Sequence, residues 1–306
     1  MNYKKVFILL ALIFLVGCTG LNREQPVQTN VYTGTQGMVL SFLTNYPPAV
    51  LYETDLPNNA IMIEAKNMGA DDVTGGFVYI TGIDGSVITI PGYSNYISQS
   101  ISGLAGRAKT LSTTGDVRQL QFPITRIILP SGTDSFPVNI LATACYNYKT
   151  NAAFAACVDE NPFSIGTKAC APGTVTGSGS QGAPIAVTSI AEEVSSKRAV
   201  FRINIANSGG GMVVKDTTQQ KCTSPSYIEQ DRVTVNKVLV GNMDIRSSCG
   251  NLNKQDSTIT LINKQATLVC QLQNVIGGAR NVPIIVELQY AYSNTVQKQV
   301  QVKKIA

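Results

Sequence analysis

The sequence contains no histidine and no tryptophan, and charged residues make up only 14% of it. Without histidine the chain lacks the commonest general base, the usual metal ligand and every Ser-His or Cys-His nucleophile pair. The phosphate loop Gly-x-x-x-x-Gly-Lys and the Gly-x-Ser-x-Gly elbow are also missing, so an enzyme built on this chain has only paired carboxylates to work with. The 24 Lys and Arg exceed the 19 Asp and Glu by a narrow margin, and that margin shrinks if Lys4 and Lys5 are removed. With no dense basic run either, nothing points to nucleic acid. Asn-x-Ser/Thr occurs nowhere, which excludes the conventional N-glycosylation acceptor.

What is present begins at the first residues. Met1-Asn2-Tyr3-Lys4-Lys5 is positive, Val6 to Val16 is apolar, and Gly17 stands before Cys18, as in an export signal. The apolar run is shorter than the roughly 20 residues that a membrane-spanning helix needs. Leu15-Val16-Gly17-Cys18 resembles the lipobox of prokaryotic lipoproteins. The resemblance implies removal of residues 1–17, lipid on Cys18, and an exported protein held to a membrane through that lipid, facing the cell exterior or periplasm. A single acyl chain holds only marginally at ~0.8 kcal/mol per buried CH₂, so a diacyl anchor is what retention requires.

With Cys18 set aside, six cysteines remain: Cys145, Cys157, Cys170, Cys222, Cys249 and Cys270. An even number in an exported chain reads as disulfides, whereas zinc would call for CxxC spacing or histidine. Many pairings are open. One that suits the expected strands joins Cys145 to Cys157 across a hairpin at Thr150-Asn151, Cys249 to Cys270, and Cys170 to Cys222.

Residues 18–36 are polar and aperiodic, which predicts a lipidated flexible tether. Alternating segments follow, among them Ala60 to Asn67, Phe136 to Tyr148, Ala152 to Asp159 and Ala199 to Ala206, separated by turn residues. The Gly/Ser-rich stretch 171–184 predicts a linker between a first domain, 37–170, and a second, 185–306. Two markers recur in order. Asn67-Met68-Gly69 matches Asn207-Ser208-Gly209, and the pair Tyr146, Tyr148 matches Tyr290, Tyr292. The fold class expected is all-β, with two tandem Ig-like antiparallel β-sandwich domains. The Asn-x-Gly turn with a late Tyr-x-Tyr strand resembles the Ig-like modules of prokaryotic surface proteins, the CARDB-type adhesion modules among them. Gly37 to Leu43 and Ala144 to Thr150 are similar to segments of uncharacterised exported proteins of small-genome archaea.

Acidic pairs at Asp71-Asp72 and Asp159-Glu160 offer oxygen ligands for calcium, but acidic turn residues are ordinarily just solvated, and no metal or cofactor is assigned. Each tyrosine pair falls on one strand face, either as core or as an outward contact patch. In the final strand Gln297, Gln299 and Gln301 oppose Val296, Val300 and Val302. It suits β-addition by another chain, or a domain edge blunted by Lys298 and Lys303. With no catalytic residue to name, the expected role is binding, adhesion or envelope structure. The partners would be envelope proteins or surface polymers. The alternative is an accessory ligand-binding lipoprotein with a pocket between its domains.

Overall fold

Alternation of apolar and polar residues, with turn residues between, gives the chain its strands. The computed structural model describes residues 30–53, 59–177 and 180–305; the export signal, the lipobox with Cys18 and the tether up to residue 29 lie outside the described residues. The first half contributes β1 (Met38–Phe42), β2 (Val50–Tyr52), β3 (Ala60–Asn67), β4 (Gly75–Thr81), β5 (Ile88–Thr89), β6 (Ile97–Ile101), β7 (Val117–Pro123), β8 (Arg126–Ile127) and β9 (Ser135–Val158). The second half contributes β10 (Thr174–Thr176), β11 (Ile185–Ser195), β12 (Arg198–Asn207), β13 (Met212–Val214), β14 (Arg232–Val240), β15 (Met243–Asp244), β16 (Thr258–Thr260), β17 (Gln265–Gln273) and β18 (Arg280–Lys303). The short helices α1 (Arg107–Thr110) and α2 (Gln219–Thr223) do not alter the class, and the protein is all-β.

One nine-stranded sheet, with the order β15-β14-β18-β9-β4-β6 as its spine, runs the length of the molecule. The sheet β1-β3-β7 covers one end and the sheet β10-β11-β12-β17 the other. Ile61, Ile63 and Phe122 on the first cover and Phe201, Ile203 and Leu268 on the second are all buried. They belong to one continuous apolar cluster with Ile80, Ile140, Val286 and Leu288 of the large sheet. Two sandwiches therefore share a sheet.

The structure corrects the expected strand limits where it matters most. No turn interrupts the chain at Thr150-Asn151: β9 is one 24-residue strand, and β18 is another of equal length. The two pair antiparallel from Ser135↔Lys303 to Val158↔Arg280. Thr150 and Asn151 carry no glycine or proline to force a reversal. Thr150 is buried instead, its Oγ1 donating to Ile185 O at 2.6 Å and bonded to the Tyr290 hydroxyl at 2.9 Å.

The expected separation at 171–184 gives way as well. Thr174–Thr176 in that stretch is β10, paired with β11, and Gly182 O accepts the Ala70 N–H of the other half at 2.7 Å. Val31–Ala306 forms a single compact unit. The segment from Tyr93 to Gly106 supplies the edge strand β6.

Tyr290 pairs with Tyr148 and Tyr292 with Tyr146, so the repeat markers meet reciprocally about Asn147↔Ala291. That is the register of a local two-fold axis, and it relates the halves.

Candidate functional site

The four tyrosines form a closed square of rings at this axis. Centroid separations are 5.8 Å (Tyr146–Tyr148), 6.0 Å (Tyr146–Tyr292), 6.4 Å (Tyr148–Tyr290) and 6.2 Å (Tyr290–Tyr292). All four are buried, and burial pushes every phenol above its ordinary value, so each stays a hydroxyl. They are core, not an outward patch. The Tyr148 hydroxyl donates to Asn67 Oδ1 at 3.4 Å and accepts the Asp71 N–H at 3.1 Å. In both copies the Asn side chain folds over its turn, Oδ1 accepting the Gly69 N–H at 3.1 Å or the Gly209 N–H at 3.2 Å. A Cβ on Gly69 would land on the Tyr148 hydroxyl, and one on Gly209 on the Tyr292 hydroxyl, which explains why glycine closes each turn.

The six cysteines form three disulfides, Cys145–Cys222, Cys157–Cys170 and Cys249–Cys270. The last is the pair expected, and the other two correct the sequence assignment. Cys145 and Cys157 lie on one uninterrupted strand, too far apart along it to bond. Cys222 on α2 reaches Cys145 because the segment around α2 lies over the outer face of the large sheet, where the Tyr79 hydroxyl donates to Thr217 O at 2.7 Å. Three disulfides fit an exported protein, since a reducing cytosol does not sustain them.

The acidic pairs are engaged within the protein. Asp159 is buried with Lys168 Nζ 2.6 Å away, and that hydrogen bond holds its carboxyl below the ordinary range. Glu160 accepts the Gly277 N–H at 2.8 Å. Asp71 accepts from the Asn151 amide at 2.9 Å, and Asp72 faces Lys109 at 3.4 Å. Among the described residues no three acidic or sulfur side chains gather as a metal site would require. Sequence reasoning missed Glu192 altogether. Its side chain is buried between β11 and β9, where Oε2 accepts the Cys157 N–H at 3.0 Å and Oε1 has no partner among the described residues. Burial pushes its carboxyl up to about 7. In the sequence Glu192 and Glu193 stand side by side with nothing to distinguish the buried one, because its depth depends on a strand in the other half.

A wide concavity lies on the second sandwich, a cleft of about 1030 Å³ across β12, β17 and the loop before β16. Asn204, Asn251, Asn253, Gln265 and Thr267 give its walls an uncharged, hydrogen-bonding character. The lining cation Arg232 is 3.8 Å from Asp256. The loop is fixed to the sheet. Asn251 Oδ1 accepts the Val269 N–H at 3.1 Å, its amide donates to Thr267 O, and the Cys249–Cys270 bond sits beside both. Asn251 thus behaves as a one-residue strand closing the edge of β17. No carboxylate is among the residues that line this cleft, and its amide and hydroxyl side chains offer hydrogen-bond donors and acceptors.

No protein-family model matches the chain, and no curated protein matches it. Among solved structures, the C-terminal domain of the Streptococcus pyogenes antigen I/II-family protein AspA aligns with 88% of this chain and 100% of its own, at 10% identity and a TM-score of 0.18. That likeness carries no argument about fold or function.

Proposed function

We propose that this chain is an exported protein held on a membrane by lipid on Cys18, whose paired Ig-like sandwiches bind envelope proteins or surface polymers without catalysis. The observation that carries the proposal is the wide cleft of neutral amides and hydroxyls, which offers a ligand many hydrogen bonds and no acid–base pair. The lipobox supplies the address, and the disulfides support export. Cross-linking on intact cells followed by pull-down tests the partner class, and recovery of cytoplasmic proteins alone would sink it. Cys18→Ser tests the anchor: the variant is expected in the soluble fraction after signal removal, and continued fractionation with membrane refutes lipid retention.

The same cleft favours a second reading, a lipoprotein that captures a small polar ligand for a transport or secretion system. Its volume reaches that of ordinary small-molecule sites, roughly 300–1,000 Å³. Uptake of a labelled neutral oligosaccharide by the purified protein, lost in Asn204→Ala, separates ligand capture from a purely structural role.

A further inference from the structure

The lane beside β18, on the side away from β9, is filled at both ends, and among the described residues no strand pairs with β18 between them. β14 and β13 occupy it as far as Ser293, and β2 occupies it from Gln301 onward. The Gln301 N–H points into this lane, donating to Ala49 O at 2.8 Å. Main-chain groups alternate sides along a strand, so those of Thr295, Gln297 and Gln299 point the same way. Among the described residues they have no backbone partner on that side. The unpaired stretch runs from Asn294 to Val300, and the main-chain groups that face the lane within it are those of Thr295, Gln297 and Gln299.

Two further unmet groups lie in it. Lys298 sits with Nζ 5.8 Å from the centre of the Phe42 ring, and no carboxylate pairs with it among the described residues. Partial burial pushes its ammonium down, with no neighbouring acid opposing the shift. At the head of the gap, Asn294 Oδ1 is buried without a hydrogen-bond donor among the described residues. It borders a cavity of about 220 Å³ with Gly37, Gly209, Tyr146 and Tyr292 in its walls.

We propose that Thr295–Gln299 is a strand slot that receives an extended segment of a partner protein, one whose acidic side chain meets Lys298 and whose end donates to Asn294. Main-chain ladder bonds would supply affinity, and the lysine and the cavity would supply choice of sequence. A second copy of this chain fits less well, because antiparallel pairing of two such edges puts both lysines on one face of a five-residue ladder. The proposal rests on the binding role above and specifies its partner surface. Its test needs no membrane, so failure here leaves the anchor standing and failure of the anchor leaves this slot standing.

The experiment is amide hydrogen exchange on the purified full chain with synthetic peptides on the order of ten residues, centred on Thr-Val-Asp-Val-Thr or Thr-Val-Lys-Val-Thr. The acidic peptide is expected to protect the amides of Thr295, Gln297 and Gln299, and the basic peptide to do so about tenfold less well. Lys298→Glu should reverse that preference and Lys298→Ala abolish it, with the far-UV spectrum confirming that both variants fold. The outward amides of Ala153 and Ala155, on the alanine-rich stretch 152–156 of β9, are the internal control. Equal protection there, an unchanged preference in Lys298→Glu, or protection in the free chain that is already complete or rises with protein concentration would each overturn the proposal.

Discussion

The Tyr292 hydroxyl donates to Asn207 Oδ1 at 3.0 Å and accepts the Gly211 N–H at 2.9 Å, repeating what Tyr148 does with Asn67 and Asp71. Sequence repeat and structural repeat coincide down to single hydrogen bonds. Tyr292→Phe and Tyr148→Phe each leave a turn N–H without its acceptor, so each is expected to cost about 1–3 kcal/mol in urea unfolding. Loss of only a few tenths in both would show that the hydroxyls do not hold the turns.

Gly69→Ala and Gly209→Ala address the same contacts by steric means. Besides the hydroxyl, the added Cβ at 69 would lie 2.7 Å from Gln36 O and from Gly182 O, and the one at 209 would lie 2.7 Å from Pro184 Cβ. At 69 the backbone oxygens do not yield as a flexible side chain does, and at 209 the obstacles are a proline ring and the buried Tyr292 ring, so a loss of at least about 2 kcal/mol is expected at each position. Thermal unfolding of either variant at the wild-type midpoint would refute the close packing.

Glu192 gives a pH dependence of defined sign. Its folded-state value of about 7 lies above the ordinary 4.5, so the folded form holds its proton longer than the unfolded chain does. The stabilisation is fully present below pH 4.5 and is lost as pH rises to about 7, by up to about 3 kcal/mol. Glu192→Gln keeps an acceptor for the Cys157 N–H and removes the titration. The difference in stability between variant and wild type should therefore grow in the variant's favour from pH 4.5 to pH 8. Parallel curves across that range would exclude Glu192 as the source.

The Cys145–Cys222 bond closes the longest of the three loops, with a sequence separation of 77, against 13 and 21 for the other two. In the chain-entropy account, removing it costs about 4 kcal/mol, compared with about 3 for Cys157–Cys170. The double variant Cys145→Ala, Cys222→Ala is expected to lose more stability than Cys157→Ala, Cys170→Ala and to free the α2 segment from Tyr79. Proteolysis at Lys221 in the first double variant but not the second is the readout. The reverse order would refute the loop-length ranking.

Much of the fold was legible because burial follows alternation. β3 and β12 each bury one row of residues, and Asn-x-Gly marks where both end. What could not be read was continuity. Thr150-Asn151 and Ser293-Asn294-Thr295 look like turn residues, yet both lie mid-strand, where Thr150 and Thr295 bond to partners far away in sequence, Tyr290 and Thr143, each at 2.9 Å. The disulfides followed the same divide. Cys249–Cys270 lies within one local region and was legible, whereas Cys145–Cys222 requires knowing that α2 folds across the back of the large sheet. The cleft was invisible for a similar reason, since its amides come from two strands and a loop whose approach no local pattern encodes.

The full pairing of β9 with β18 also has a consequence for inheritance. Each long strand begins in one sandwich and ends in the other, so each half lends its neighbour a strand that the neighbour's own sequence does not encode. A half-chain alone would leave that place vacant, yet two identical half-chains turned about the axis at Asn147 and Ala291 would fill it for each other. The molecule has the form of a homodimer joined into one polypeptide. Its halves are free to diverge in their loops while the central ladder and its tyrosines bind them to change together.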